Sequence, residues 1–187
     1  MEFPFTTASN EKVTMNAKFR LGLVIIWIFQ YIALSAQAEE TLTKQRKARL
    51  PTTPVTQLER YAVDNDWKVR REVATNRRCP VSLLYQLAND PVTEVKIAVA
   101  TNLATDEKTF IRLADDPDKT VRSVVARFEF VPPAVLDKLA SDDSADIRLE
   151  VARSFNVSNA TLKLLMNDAY PEIRQLAAQT LANREGK

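Results

Sequence analysis

The stretch LADDPDKTVRSVVA at residues 113–126 decides the fold, because it returns with substitutions every 26 residues. Val69-Arg70, Val95-Lys96, Val121-Arg122, Ile147-Arg148 and Ile173-Arg174 stand at the same place in successive copies. So do Val73, Val99, Val125, Val151 and Ala177, followed by Ala74, Ala100, Ala126, Ala152 and Ala178. Earlier in each copy come Leu58, Leu84, Phe110, Leu136 and Leu162, then Tyr61, Leu87, Leu113, Leu139 and Leu165. A fixed period of this length marks a repeat architecture, in which each copy buries its apolar columns only against its neighbours.

Each copy contains two short helical patterns. In the first, Leu84, Leu87 and Ala88 fall at i, i+3 and i+4, one face of a helix. In the second, Val121, Val125 and Ala126 do the same. Pro54, Pro80 and Pro132 open first helices, and Thr105 and Ser158 are placed to cap others. Asp66, Asp118 and Ser144 are placed to cap second helices, and Pro171 sits in a first turn. With no glycine between 39 and 185, Asn65, Asn89, Asn102, Asn167 and Asn183 are assigned the turn and C-cap positions. No period-2 strand pattern occurs. The expected fold is all-α: a right-handed α-solenoid of about five 26-residue helix pairs over 54–187, with a frayed tail from Arg184.

The N-terminal third reads differently. Residues 21–34, LGLVIIWIFQYIAL, form an uncharged apolar run preceded by Lys18 and Arg20. Ala36-Gln37-Ala38 then supplies a small-x-small cleavage pattern. Residues 1–38 are therefore expected to be a signal peptide, with its true start at Met15 and a mature chain beginning at Glu39. The alternative is an uncleaved anchor over 19–38. Residues 39–53 have no periodicity and read as a flexible basic linker. Either route exports the rest of the chain, to the bacterial periplasm or envelope, or outside the cell. Asn156-Val-Ser158 and Asn159-Ala-Thr161 match the glycosylation sequon, which matters only in a eukaryotic secretory route.

Composition removes much chemistry. Among 187 residues there is no histidine, so the commonest general base and metal ligand is missing. Cys79 is the single cysteine, which excludes an intramolecular disulfide and a thiolate metal cage, and it is expected to be buried as a small apolar side chain. Gly22 and Gly186 are the only glycines, too few for a phosphate-binding loop. The chain is expected to be no enzyme and to use no cofactor or metal.

The pattern Leu-Ala-x-Asp-Pro-x-x-x-Val-Arg-x-x-Val-Ala resembles the leucine-rich repeat variant and HEAT-like repeats over residues 58–183. The period is closer to the leucine-rich repeat variant. That resemblance implies a protein-binding scaffold whose second helices line a concave side. It also raises a DNA-binding or lesion-repair module as an alternative, should the chain not be exported, and a chromophore lyase as a more remote one. The iron–sulfur cluster of one member of the family is not carried over, because its cysteines are absent here.

Two charged columns recur at an offset of six: Asp64/Arg70, Asp90/Lys96, Asp116/Arg122, Asp142/Arg148 and Asp168/Arg174. The resemblance implies a hydrogen-bonded ladder along the stack at these ten positions, and Lys96 lacks the arginine fork there. Columns that vary between copies are the expected display surface: Arg71, Ile97, Ser123, Leu149 and Gln175, and Thr75, Thr101, Arg127, Arg153 and Gln179. From them Arg71, Ile97, Arg127, Leu149 and Arg153 are selected as contacts for a protein partner. Phe128, Phe130 and Phe155, near the ends of second helices, are assigned to packing between copies. Charge is uneven: residues 39–104 hold 11 Lys+Arg against 8 Asp+Glu, and residues 105–187 hold 12 against 14. Arg70, Arg71, Arg77 and Arg78 gather in the first copy, where they could meet an acidic partner or an anionic membrane surface. A nucleic-acid partner is not expected, since its footprint would be more basic.

Overall fold

The computed structural model describes the backbone of residues 8–185 and the side chains of residues 26–185. It divides into two compact units, Met1–Thr43 and Lys44–Lys187. Every regular element among the described residues is an α-helix. After α1 (Ala8–Arg49) come five pairs: α2 (Val55–Tyr61) and α3 (Trp67–Thr75), α4 (Val81–Leu87) and α5 (Thr93–Ala100), α6 (Glu107–Ala114) and α7 (Lys119–Arg127), α8 (Pro133–Leu139) and α9 (Ala145–Arg153), α10 (Asn159–Leu165) and α11 (Pro171–Glu185). One pair per 26-residue period is the all-α solenoid that the repeat requires.

Most of these helices have only 7–9 residues, too few to persist alone in water. Packing holds them. Second helices stack α3 on α5, α5 on α7, α7 on α9 and α9 on α11, while α4, α6 and α8 stack beside them. The apolar columns form the core: Val69, Val95, Val121, Ile147 and Ile173 are buried, as are Leu58, Leu84, Phe110, Leu136 and Leu162. Tyr61, Leu87, Leu113, Leu139 and Leu165 are buried too. Within the Ala74 column, Ala178 alone is half-buried, because no further helix pair covers it among the described residues. Cys79 lies in this core, and burial pushes its thiol up to about 12.

The helix starts follow the sequence with two exceptions, one of them Ser144, which stands at the N-cap of α9 but makes no side-chain capping bond. Pro54, Pro80 and Pro132 occupy the N-cap, while Asp66 and Asp118 each accept a backbone N–H two residues on. Ser158 accepts from the Thr161 N–H. In the third copy, however, Asp106 and not Thr105 caps α6, accepting from the Thr109 N–H at 3.0 Å. The Thr105 hydroxyl instead donates back to the Val99 carbonyl at 2.6 Å.

Two terminal expectations differ from the structure. Residues 39–53 are not a flexible linker throughout, since α1 continues to Arg49 and Ala48 is fully buried. Lys44 stands 26 residues before Arg70, and Ala48 stands 26 before Ala74. The last turns of α1 thus occupy the place of a second helix ahead of the first copy. Thr43 and Lys47 replace valine in that register, which hides the continuation from a search for apolar columns. At the other end, Arg184 does not fray: it lies within α11 and its guanidinium donates to the Phe155 and Val157 carbonyls at 2.7 and 2.6 Å. Asn183 likewise lies inside α11, not at a C-cap.

The expected signal peptide is described only in part: residues 1–7 have no described backbone, and Met15, Lys18 and Arg20 no described side chains. Among the described residues no helix is long and apolar enough to cross a membrane. Ile26, Trp27, Ile28, Phe29, Tyr31, Ile32 and Leu34 are all exposed on α1.

Leu113, fully buried in the central copy, tests the column assignment. Leu113→Ala is expected to lower unfolding free energy by about 2–5 kcal/mol, read from urea denaturation. An unchanged midpoint would place Leu113 on the wrong face.

Candidate functional site

The two charged columns meet across copies, not within one. Arg70 Nε and Nη2 donate to the Asp90 carboxylate at 2.6 and 2.9 Å. Arg122 reaches Asp142 at 2.7 and 3.1 Å, and Arg148 reaches Asp168 at the same two distances. Lys96 Nζ donates to both oxygens of Asp116, at 2.8 and 2.7 Å. Lys44 of α1 reaches Asp64 at 3.2 Å, extending the series toward the N-terminus. Lys44, Arg70, Lys96, Arg122 and Arg148 thus pair with an aspartate 20 positions ahead, and for Arg70, Arg122 and Arg148 the own-copy aspartate, six positions back, contributes a backbone carbonyl.

Both partners carry a second duty. Oδ1 of Asp64, Asp90, Asp116, Asp142 and Asp168 accepts the N–H two residues on, at 2.8–2.9 Å, which closes the turn between the helices of a pair. The remaining guanidinium nitrogen of Arg70, Arg122, Arg148 and Arg174 donates to the carbonyl of its own copy's aspartate, at 2.7–2.9 Å. For Arg174 the carbonyls of Asp168 and Ala169 are the partners. Lys96 has no second arm, and its bonds go to Asp116 alone.

The electrostatics follow the geometry. The hydrogen bond from Arg148 holds the Asp168 carboxyl below its ordinary value against the opposing effect of burial. Burial pushes Asp142 up, but the Arg122 hydrogen bond and the Ser144 N–H together leave it lowered. Asp118 falls to about 2, chiefly through the Thr93 hydroxyl and then the Thr120 N–H. These carboxylates are engaged in structure. Among the described residues no group of His, Cys, Asp and Glu could hold a metal ion.

A second relay escaped the sequence reading. Asn102 Nδ2 donates to the Ala74 and Asn76 carbonyls at 2.6 and 3.0 Å, and Asn76 Nδ2 donates to Ala48 and Leu50 at the same distances. The amide of one copy thus closes the helix end of the copy before it. Asn76 and Asn102 are 26 apart, which was the available signal. Phe128 follows in that register and breaks the series. Its ring stacks on Phe110 with centroids 5.8 Å apart and meets Phe130 edge-on at 5.8 Å.

The selected contact residues separate into two kinds. Ile97 and Leu149 are half-buried and packed against the core. Arg127 and Arg153 are exposed, with Arg153 only loosely held by Glu150 at 3.4 Å. Arg71 is half-buried, 2.7 Å from Glu72, and lies 5.6 Å over the Trp67 ring. With Arg49, Pro51, Glu72, Thr75 and Arg77 it lines a groove of about 450 Å³. Ile97, Arg127, Leu149 and Arg153 lie outside that groove. A groove of about 530 Å³ beside α4 and α6 has less to offer, because its cations are already used. Arg112 donates to Tyr85 Oη at 2.9 Å and to Asn89, and Lys108 sits 4.5 Å over the Tyr85 ring.

Comparison with solved structures agrees with the repeat resemblance. The chain is similar to a leucine-rich repeat variant with a novel repetitive protein structural motif, with a TM-score of 0.56 and 28% identity over 70% of this chain. It spans about half the length of that protein, 52%. An engineered protein gives a TM-score of 0.43 at 16% identity, covering 76% of this chain and 89% of its own. No known family's sequence profile matches the chain, and no curated protein does.

Two measurements test the relay. Lys96→Arg would give that copy the second arm its neighbours have, and is expected to raise stability by about 0.5–1.5 kcal/mol in urea unfolding. A neutral or destabilising result would mean the turn carbonyls of Asp90 and Pro91 gain nothing from it. The second concerns pH. Asp142 and Asp168 titrate below their ordinary 3.8 in the folded state, so their contribution is complete above that pH and is lost as pH falls through the lowered values. With no histidine, thermal melts should give a flat Tm between about pH 5 and 8 and a fall below about pH 4. Arg148→Met should shallow the acid limb; an unchanged limb would detach Asp168 from it.

Proposed function

We propose that the chain is an exported, non-enzymatic repeat scaffold that binds another protein. The observation that carries this reading is the division of labour among its columns. Conserved-in-register Asp, Arg and apolar side chains are occupied in holding copies together, while Trp67, Arg71, Arg127 and Arg153 vary between copies and face outward at least in part. A surface fixed in advance lowers the ordering cost of association. Repeat folds of this class generally mediate protein interaction, which supports the reading.

Export rests on the N-terminal sequence. The boundary between compact units, after Thr43, supports it: removal of residues 1–38 would leave Lys44, Ala48 and Arg49 in place. Retention of 19–38 as an anchor is the second reading, favoured by the exposed apolar side chains of 26–34. Cell fractionation with intact-mass analysis separates the two. A soluble species beginning at Glu39 is expected; a membrane-bound species keeping 15–38 would replace it with the anchor, and a full-length cytosolic species would reopen the nucleic-acid alternative.

The binding surface is tested by photo-crosslinking in cells. A crosslinker at Arg127 or Arg153 is expected to trap one discrete protein partner, and the same group at Glu59 on α2 is not. Equal adducts from all three sites, or none from the second-helix sites, would overturn the assignment.

A further inference from the structure

We infer that the partner docks through an extended segment carrying acidic residues followed by apolar ones, seated in the Arg49–Arg71–Arg77 groove and running along the loop edge over Leu103, Phe130 and Phe155. This rests on the scaffold reading and names the partner's chemistry. The groove sets three guanidinium groups against one carboxylate, Glu72, which already pairs with Arg71 at 2.7 Å and with Arg49 at 3.9 Å. Arg77 is exposed at the groove's lip. A carboxylate entering there meets an uncompensated positive field, and a bidentate guanidinium contact is among the stronger polar contacts available.

The edge continues from the groove in register. Arg77, Leu103, Glu129 and Phe155 stand 26 residues apart, with Arg78 and Phe130 one position further on. Leu103 is 68% exposed, Phe130 62% and Phe155 85%. The fold does not require apolar side chains here, because the first copy has arginines in the same two positions. Three large apolar groups on one edge, in three successive copies, therefore form a patch with a purpose beyond the core. The Phe130 ring is held edge-on to Phe128, which stacks on Phe110, so it is oriented before any partner arrives.

Spacing fixes the form of the occupant. Packed helices lie about 8–10 Å apart. A polyproline II segment repeats its side-chain direction every three residues, or about 9.3 Å. Residues three apart on such a segment therefore meet successive copies. The expected pattern is an acidic pair, then apolar residues at three-residue intervals. Glu129 beside Phe130 disfavours acidic residues further along, and the acidic excess of 105–187 steers them toward the first copy.

The test uses the full chain and a fluorescein-labelled peptide with two aspartates followed by leucine and two phenylalanines at three-residue spacing, in a Ser/Pro background. Fluorescence anisotropy is expected to show binding that weakens with salt and exceeds that of a scrambled peptide by about tenfold. Arg77→Glu and Phe130→Ser, both at exposed sites with melts matching the parent, should each weaken it by about tenfold or more. Equal binding of the scrambled peptide, or indifference to both substitutions, overturns the proposal. So does Arg77-dependent binding of phosphatidylglycerol vesicles without peptide binding, which would make the patch a membrane contact. If the peptide fails while Arg127 and Arg153 still crosslink one partner, the track is wrong and the scaffold reading stands.

Discussion

The pairing of a basic side chain with the aspartate one copy ahead is the constraint on which the rest of the unit depends. Each aspartate closes its own turn through the N–H two residues on, and each arginine satisfies carbonyls of that turn in its own copy. The charge pair therefore joins two turns, not merely two side chains. Removing one partner leaves both a partly buried charge and open turn groups, and breaking such a pair typically costs about 3–5 kcal/mol. The apolar columns supply the larger net driving force, but burial is non-directional. The relay sets the register at which short helices are buried, and that register is what 26-residue spacing without insertion preserves.

The relay also accounts for the start of the unit. Lys44 supplies Asp64 with the cation that the preceding copy would provide, and Asn76 closes on Ala48 and Leu50 as Asn102 does on Ala74 and Asn76. The end of α1 is therefore a working neighbour for the first copy despite lacking its valines. Along the second-helix ends the asparagine series stops at Phe128, and there the aromatic cluster with Phe110 and Phe130 takes over. The interruption is local, because Asn156 Nδ2 donates to the Glu129 and Val131 carbonyls and Thr180 Oγ1 to the Ala152 carbonyl, so polar closure resumes in the later copies.

The period made the architecture and the core legible, because apolar columns repeat in kind as well as in place. The ten relay positions were legible as columns, and the family resemblance implied a ladder along the stack, but the sequence offset of six did not say which aspartate each basic residue reaches. The bonds join positions 20 apart, since a turn of the stack brings the next copy's aspartate beside the arginine. The cap at Asp106 was missed because Thr105 and Asp106 are both capable acceptors, and the choice rests on which one the chain geometry places before Glu107. The end of α1 was hidden because Thr43 and Lys47 stand where the copies have valine, and only Lys44 and Ala48 keep the register. Ile97 and Leu149 were assigned to a partner by their variability, but variation at a half-buried site reflects alternative packing as readily as display.

That last distinction narrows where recognition can occur. A residue packed against the core cannot change identity without a stability cost, so it contributes little freedom for matching a partner. Arg127, Arg153, Arg77 and Phe155 carry no such burden, since they are exposed on copies whose buried columns and relay are complete without them. The rigid stack and the variable surface are thus separable in sequence. Substitutions in the second set alter what is presented while leaving the register intact, which is the property a repeat scaffold needs in order to acquire a specific partner.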